Sequence, residues 1–307
     1  MPRKILSILT PVFLLAVVTT ASAAAPLRVL YFTKSSGYEH SVIKWVDGQP
    51  GSSYSEKILS GLAPKNNFAL TFSKDGSRFS PAYLAGFDVI VFYTSGDLLS
   101  VGGDAQPAMT AAGKQALLDA IAGGKGFIAV HAGCDTFHTG ESGPGNPADR
   151  ANRYKVHGDA SDAYVLMLGG EFINHGAQQV ASATVIDPRF PGCAALGESF
   201  SCQEEWYSLK EFASNLHVLL LMQTAGMQGT EYQRPPYPLA WARTNGKGRV
   251  WVTGMGHRED VWDNEKFQAM LLGAIAWTGG RAHADVTPNL HKVAPEANTL
   301  PPPRPGT

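Results

Sequence analysis

The stretch Gly126-Phe127-Ile128-Ala129-Val130, which ends at His131, is the clearest indication of the fold. Similar apolar runs occupy residues 27–33, 68–73 and 88–94. Runs of this kind are typical of parallel strands that are buried on both faces. Helical patterns at 54–62 and 107–122 lie between them. Strands that alternate with helices in this way predict βαβ units, and hence an α/β fold with a mainly parallel sheet covered on both faces.

The second half of the chain has a different pattern. Strand-like segments lie at residues 178–186, 206–210 and 216–222, and an amphipathic helix is predicted at 267–277. Two further strand-like segments, 239–243 and 249–253, flank Asn245-Gly246-Lys247-Gly248, which is a hairpin-turn signature. We therefore expect a late β-hairpin beside the parallel strands.

The first 23 residues are predicted to be a signal peptide rather than part of the fold. Arg3 and Lys4 are followed by an apolar run at 5–20 and by the small residues Ala21-Ser22-Ala23, which suit a signal-peptidase site. The run is short for a bilayer span, which needs about 20 apolar residues. We expect a mature chain beginning near Ala24, periplasmic or secreted, with no stable membrane span after cleavage.

Composition narrows the class of protein. The chain has 25 basic and 26 acidic residues, and removal of the predicted leader leaves a small acidic excess, which argues against a nucleic-acid partner. One α/β domain is predicted over residues 24–282. The proline-rich end, 283–307, is expected to be disordered. Oligomeric state cannot be predicted from this pattern.

Four histidines occupy positions where chemistry is expected. His40 follows the first strand, His131 follows the 126–130 strand, and His257 follows the last strand of the hairpin. His175 closes a glycine-rich segment. Because ligands bind at the carboxyl ends of the strands in open α/β sheets, we expect these imidazoles to share one pocket.

Carboxylates accompany the histidines. Asp135 lies four residues beyond His131, and Glu205 belongs to a second acidic segment. Imidazole and carboxylate groups together either bind a divalent metal or divide the roles of general acid and base. His131, His175 and His257 are the candidate metal ligands, although no compact His-Glu-x-x-His motif is present. Phosphate-binding glycine motifs are also absent from the sequence, so no nucleotide cofactor is expected.

The three cysteines carry two separate hypotheses. Cys134 follows a predicted strand in a tight turn, which is the position of a nucleophile, but the neighbouring Asp135 disfavours its thiolate. Cys193 and Cys202 are nine residues apart in a loop-like stretch, and an exported protein meets oxidising conditions. They are therefore a candidate disulfide, although spacing alone does not set its geometry.

Aromatic residues lie close to the candidate polar groups. Trp206 and Tyr207 directly follow Glu205. Aromatic rings pack on the C–H faces of sugars while carboxylates and amides bind hydroxyl groups, so a small-molecule carbohydrate is the expected partner.

Several segments together resemble the trehalose-utilisation (ThuA-like) family over about residues 27–280. The segments that carry the resemblance are 29–40, 126–136, 169–172 with His175, 204–207, 238–241, 246–250 and 256–262. Each segment is weak alone, but their order and spacing are specific. The resemblance implies a three-layer αβα fold of the flavodoxin type, as in glutamine amidotransferase-like proteins, and a role in the metabolism of trehalose and related or 3-keto glycosides.

Three functions remain open at this point. The first is a carbohydrate-processing enzyme that hydrolyses, eliminates or isomerises a glycoside or keto-sugar. In it, His131, His257 and His175 form the core, Asp135 and Glu205 assist, and substrate-binding residues surround them. The substrate-binding candidates are His40, His175, Trp206 and Tyr207. The second is a non-catalytic sugar-binding or envelope scaffolding protein. The third is a Cys134-dependent, amidotransferase-like hydrolase.

Overall fold

A computed structural model describes residues 1, 24–140 and 151–304 of the chain. The predicted signal peptide therefore lies outside the described residues, apart from Met1. The strands are β1 (Leu27–Phe32), β2 (Phe68–Ser73), β3 (Val89–Phe92), β4 (Gly126–Val130), β5 (Glu171–His175), β6 (Gln179–Val185), β7 (Ser199–Glu204), β8 (Tyr207–Lys210), β9 (His217–Met222), β10 (Tyr237–Asn245) and β11 (Gly248–Thr253). The α-helices are α1 (Tyr54–Leu62), α2 (Pro81–Leu84), α3 (Ala111–Ala122), α4 (Ala163–Leu168), α5 (Glu259–Asp263), α6 (Glu265–Thr278) and α7 (Leu290–Val293).

Nine strands form one mixed sheet in the order β2-β1-β3-β4-β11-β10-β9-β6-β7. The pairs from β2 through to β11 are parallel, and those from β11 to β7 are antiparallel. The remaining strands, β5 and β8, pair with each other in a small antiparallel sheet. The predicted α/β fold with a parallel core and a late hairpin is confirmed.

Adjacent residues at the end of β3 show that helices cover both faces of the sheet. Phe92 stacks against Tyr164 of α4, with ring centroids 6.1 Å apart. Its neighbour Tyr93 stacks against Trp262 of α5, on the other face, at 6.4 Å. Because successive side chains of a strand point to opposite faces, α4 and α5 lie on opposite sides of the sheet. This is the predicted three-layer αβα arrangement.

Local sequence signals set several boundaries. Helix α1 begins at a capping box, in which the Ser53 hydroxyl accepts from the Glu56 N–H and the Glu56 carboxylate accepts from the Ser53 N–H. The β10–β11 turn uses Gly246 at φ 59°, where a Cβ would lie 2.6 Å from the Ala122 carbonyl oxygen. Glycine is therefore required on both backbone and steric grounds.

The predicted disorder of the proline-rich end is wrong for residues 283–304, which we call the C-terminal strap. The Asn289 side chain accepts from the Val218 N–H at 2.6 Å, and the Asn298 side chain accepts from the Phe212 N–H at 2.8 Å. Leu290 of α7 is buried. Composition misled the prediction because these anchors satisfy backbone groups of β9 and of the segment before it, which a count of prolines does not reveal.

The candidate disulfide is also wrong, since Cys193 and Cys202 are both free thiols. Cys193 begins a short 3-10 helix, Cys193–Leu196, and is buried. Cys202 lies within β7 opposite Ala181 of β6. Cys202 lies in an extended strand that leads away from Cys193, so the two thiols are close in sequence but are not bonded.

Among the residues that the structure describes, none of the helices has the length and apolar character needed to cross a bilayer.

Candidate functional site

Three histidines meet at the carboxyl edge of the parallel strands. His40 follows β1, His131 follows β4 and His257 follows β11. Their ring centroids are 4.9 Å apart for His40 and His131, 5.0 Å for His40 and His257, and 5.3 Å for His131 and His257. The three imidazoles therefore form a compact triangle, assembled from segments that are distant in sequence.

Glu205 completes this group from the loop between β7 and β8. Its Oε2 lies 3.0 Å from His257 Nδ1 and 3.5 Å from His131 Nε2. One nitrogen or oxygen atom from each of the four side chains lies within 4.8 Å of the others. We call His40, His131, His257 and Glu205 the imidazole–carboxylate centre.

His131 is held in a strained and fully buried position. Its φ is +47°, in the left-handed region that side-chain-bearing residues rarely adopt. Its Nδ1 lies 2.9 Å from the Gly254 carbonyl oxygen, and the Tyr207 ring packs on it at 3.9 Å. A carbonyl only accepts, so Nδ1 carries a proton, and Nε2 is the ring nitrogen that faces Glu205. Strain of this kind is typical of functional sites.

His257 is positioned through its backbone. The buried Glu204 carboxylate accepts from the Gly256 N–H at 2.9 Å and from the His257 N–H at 3.1 Å. The Gly256 carbonyl in turn accepts from the Tyr93 hydroxyl at 3.0 Å and from the Trp262 indole N–H at 2.8 Å. Burial raises the pKa of Glu204. The loop after β11 is therefore fixed on both sides of the peptide that precedes His257.

The pKa values of the groups in the centre are shifted in different directions. Burial and the neighbouring imidazoles of His131 and His257 hold the pKa of His40 well below its ordinary value, so its ring is neutral. Burial acts in the same direction on His257, but interaction with Glu205 outweighs it and raises the pKa of His257. Burial would raise the pKa of Glu205; its contacts with His131 and His257 outweigh this and keep the pKa far below the usual range. Glu205 is therefore an anion among imidazoles.

A pocket of about 590 Å³ opens onto the centre, within the usual range for small-molecule sites. Its lining residues are Tyr38, His40, Asp135, Arg153, Tyr154, Phe172, Ile173, Asn174, His175, Gln178, Glu205, Tyr207, His257 and Arg304. Arg304 comes from the C-terminal strap, where it donates to the His175 carbonyl at 2.8 Å and to Glu231. The strap thus contributes to a wall of the pocket.

Asp135 lies on the pocket wall within a second polar network. His138 Nε2 is 2.5 Å from Asp135 Oδ1, and His138 Nδ1 is 3.0 Å from Glu171 Oε1. Arg153 Nη1 lies 3.1 Å from the same Asp135 oxygen. Burial would raise the pKa of Asp135, but Arg153 and His138 lower it, so this carboxylate is ionised. The sequence reading missed His138, although its spacing of three from Asp135 was a usable signal.

Several predicted residues take other places. Trp206 was expected to bind substrate, but it is fully buried and its indole N–H donates to the Gln179 carbonyl at 2.8 Å. Tyr207 does line the pocket. His175 was expected among the metal ligands, yet it lies on the wall with its side chain 39% exposed and Nδ1 3.3 Å from Glu205. His40 and Glu205 belong to the four-residue centre instead, because β1 and the β7–β8 loop deliver them there.

The Cys134 nucleophile hypothesis is contradicted by burial. Cys134 ends a 3-10 helix, His131–Cys134, and is only 1% exposed. Burial, together with the charge of Asp135, raises the pKa of the thiol far above its ordinary value. A nucleophile after β4 would be exposed and would occupy a strained backbone conformation. Cys134 is buried, and the residue with the strained backbone is His131. The other pocket residues that the sequence did not reveal are Arg153, Tyr154, Phe172, Ile173, Asn174, Gln178 and Arg304.

Comparison with known proteins gives consistent results. The model of the ThuA family, described as trehalose utilisation, matches residues 28–278. Among solved structures, a ThuA-like protein from Bacteroides uniformis ATCC 8492 superposes with a TM-score of 0.59 at 18% identity, covering 84% of this chain and 94% of that one. One from Parabacteroides merdae ATCC 43184 gives 0.55 at 17% identity, covering 91% and 98%. A search of curated proteins found no match. At these identities the structural likeness supports the fold alone.

Proposed function

Because this chain belongs to the ThuA, or trehalose-utilisation, family, we propose that it is an exported carbohydrate-processing enzyme. The proposed reaction is hydrolysis, elimination or isomerisation of a glycoside or keto-sugar in the pocket that ends at the imidazole–carboxylate centre. The main support is that His40, His257 and Glu205 of the centre line a pocket of about 590 Å³. Titratable groups perturbed by burial and by one another, and gathered in a cleft, are typical of catalytic sites.

The walls of the pocket suit a polyhydroxylated ligand. Phe172 and Tyr207 offer aromatic rings, and Asn174 and Gln178 offer amides. Aromatic faces supply apolar contact area, while amide and carboxylate groups pair with hydroxyls in either direction. These features support a sugar more strongly than a nucleotide, because the lining combines aromatic rings with amides rather than a phosphate-binding glycine loop.

The arrangement supports a division of labour. The groups of the centre are fixed in advance and largely removed from water, and fixed groups of this kind can stabilise charge that develops on a reacting sugar oxygen. Two wall residues outside the centre are available for proton transfer. Asp135 is ionised and can accept a proton, and the partly exposed His175 has its Nδ1 3.3 Å from Glu205 Oε1.

The proposal of export is supported by the basic, apolar and small-residue pattern of residues 1–23. Expression of the full chain in a bacterial host, followed by fractionation and N-terminal sequencing, tests it. A mature protein in the periplasm or medium that begins near Ala24 is expected. An intact chain that stays in the cytoplasm would remove this part of the proposal.

The activity is tested with His257→Ala, assayed on a panel of glycosides and their 3-keto forms. We expect turnover to fall by at least about 10²-fold with the fold intact, as judged by circular dichroism and melting temperature. His131→Ala is expected to be as inactive, but its burial makes His257 the decisive position. His291→Ala, on the exposed face of α7, is the matched control and should keep full activity.

Two results would point elsewhere. Full turnover in both histidine variants would rule out the centre as the active site. Measurable affinity of the unaltered chain for a glycoside, with no product on long incubation, would favour a non-catalytic sugar-binding or envelope scaffolding protein.

A further inference from the structure

We propose that the imidazole–carboxylate centre binds a divalent transition-metal cation of the zinc type. The ligands would be one nitrogen each from His40, His131 and His257 and one oxygen from Glu205. This inference rests on the pocket of the proposed function and deepens it, because a cation there would act as a Lewis acid on the sugar or on water. It does not depend on which sugar is used.

The donor set has the chemistry that such a cation requires. Zinc takes imidazole nitrogen at about 2.0–2.1 Å and carboxylate oxygen at similar distances, commonly from four ligands in a tetrahedral arrangement. Those bond lengths place ligand atoms roughly 3.3 Å from one another. The four atoms of the centre already lie within 4.8 Å of each other, and Glu205 Oε2 is 3.0 Å from His257 Nδ1. The ligand atoms would need to approach one another by up to roughly 1.5 Å to form a coordination sphere.

Unpartnered atoms inside the centre point to the same conclusion. His131 Nε2 is buried without a hydrogen-bond partner, and so is His257 Nδ1, although both lie close to Glu205. For His131, Nδ1 is occupied by its contact with the Gly254 carbonyl, so Nε2 is the nitrogen that faces a carboxylate oxygen at 3.5 Å. A buried ring nitrogen beside a carboxylate oxygen needs either a proton or a metal cation between the two atoms. A metal ion satisfies both atoms.

The surrounding contacts have the form expected around metal ligands. Metal-binding histidines usually donate their second ring N–H to a carbonyl or carboxylate, which fixes the tautomer and the ring orientation. His131 does so to Gly254 at 2.9 Å. Glu204 fixes the backbone of His257, and the Tyr207 hydroxyl lies 3.5 Å from His40 Nε2. The His131 ring and the backbone of His257 are therefore held in place before any ion arrives.

His175 provides a matched control for this site. Its Nδ1 lies 3.3 Å from Glu205 Oε1, yet it stands outside the four-atom group and is exposed to solvent. If the four-residue centre binds the metal, removal of His175 should have a smaller effect on metal affinity than removal of a ligand. If any nearby histidine can bind it, the two effects should be similar.

The experiment uses the full chain without a histidine tag, dialysed against a chelator and then titrated with zinc chloride in a calorimeter. One Zn²⁺ per chain is expected, and Co²⁺ in its place should give the visible absorption of a four-coordinate ion. Glu205→Gln and His257→Ala should each weaken Zn²⁺ binding by at least about tenfold, whereas His291→Ala should change it by less than about twofold and His175→Ala should weaken it less than Glu205→Gln does.

The inference is overturned if the unaltered, folded chain binds no Zn²⁺ or Co²⁺ with a Kd below about 100 μM. It is also overturned if His175→Ala weakens binding as much as Glu205→Gln does. Its failure is separable from that of the proposed function. Sugar turnover that persists in chelator would contradict the metal site and support the enzymatic function. Stoichiometric metal binding without turnover of any sugar would support the metal site and contradict the enzymatic function.

Discussion

The two halves of the sheet contribute to the site in different ways. The parallel half, β2-β1-β3-β4-β11, delivers His40, His131 and His257 at the carboxyl ends of three strands. The antiparallel half and the small β5–β8 sheet deliver Glu205 and Tyr207. The imidazoles thus follow from a general rule of α/β sheets, whereas the carboxylate depends on how the added strands fold back over that edge.

This difference separates the part of the sheet that positions the histidines from the part that determines the charge and the walls of the pocket. The neighbouring parallel strands β4 and β11 place His131 and His257 side by side, and the loop after β1 brings His40 to them. The second half determines what charge meets these rings and what forms the pocket walls. Changes in each half should therefore affect activity, stability and substrate affinity to different degrees.

The largest expected effect comes from removing the charge that the second half contributes. Glu205→Gln keeps the shape of the side chain but loses the anion that His131 and His257 face. We expect kcat/KM to fall by about 10²–10⁴-fold, comparable to the loss in His257→Ala. Kinetics on the same sugar panel check this. A loss of less than about tenfold would show that the antiparallel half supplies only walls.

Truncation of core leucines tests whether the two halves unfold as one unit. Leu30 of β1 and Leu220 of β9 are both fully buried, one in each half. Each leucine-to-alanine change should lower the free energy of unfolding by about 2–5 kcal/mol. Denaturant unfolding followed by fluorescence and by circular dichroism measures it. Two separate transitions in either variant would mean that the halves are independently stable.

The pH dependence of stability should reveal the network behind Asp135. Burial would raise the pKa of Glu171, but His138 and Lys210 lower it to about 2, against an ordinary value of 4.5. A depressed pKa contributes stability above the unfolded value, and this is lost as the pH falls from about 4.5 to about 2. The contribution is up to about 3 kcal/mol. Urea unfolding at several pH values measures the slope, which should flatten in Glu171→Gln.

The smallest expected effect concerns the C-terminal strap. Arg304→Ala removes donors to the His175 carbonyl and to Glu231 at the rim of the pocket. We expect KM to rise by about three- to tenfold, with kcat within a factor of two, because the change loosens a wall and leaves the centre intact. Steady-state kinetics separate the two parameters. A kcat loss as large as that of Glu205→Gln would show that the strap acts on the centre itself.

The sequence predicted the parallel half well because its strands are continuous apolar runs. The segments 27–33 and 126–130 correspond to β1 and β4, and the histidines that follow them, His40 and His131, lie at the shared edge. By contrast, β5 (Glu171–His175) and β7 (Ser199–Glu204) were not recognised. Both mix polar and apolar residues, and their burial is set by packing against other strands rather than by their own composition.

The walls of the pocket could not be predicted for a related reason. Asn174, Arg153 and Arg304 come from segments that carry no signal of convergence along the chain. Trp206 shows the opposite error, since an aromatic residue beside a functional carboxylate lies in the core and its neighbour Tyr207 faces the pocket. In an extended segment a single residue step reverses the side-chain direction, and the sequence does not say which step is taken.

The direction of β1 has a practical consequence for how this protein can be handled. The strand runs from Leu27 to Phe32, a rise of roughly 20 Å, from the end that joins Ala24 towards the edge that carries the histidines. A support, reporter or tether joined at Ala24 is therefore attached at the far end of the sheet from the opening through which a solute enters. Immobilisation through that end should leave the mouth turned towards the bulk solution, whereas coupling after Arg304 would place the linker beside it.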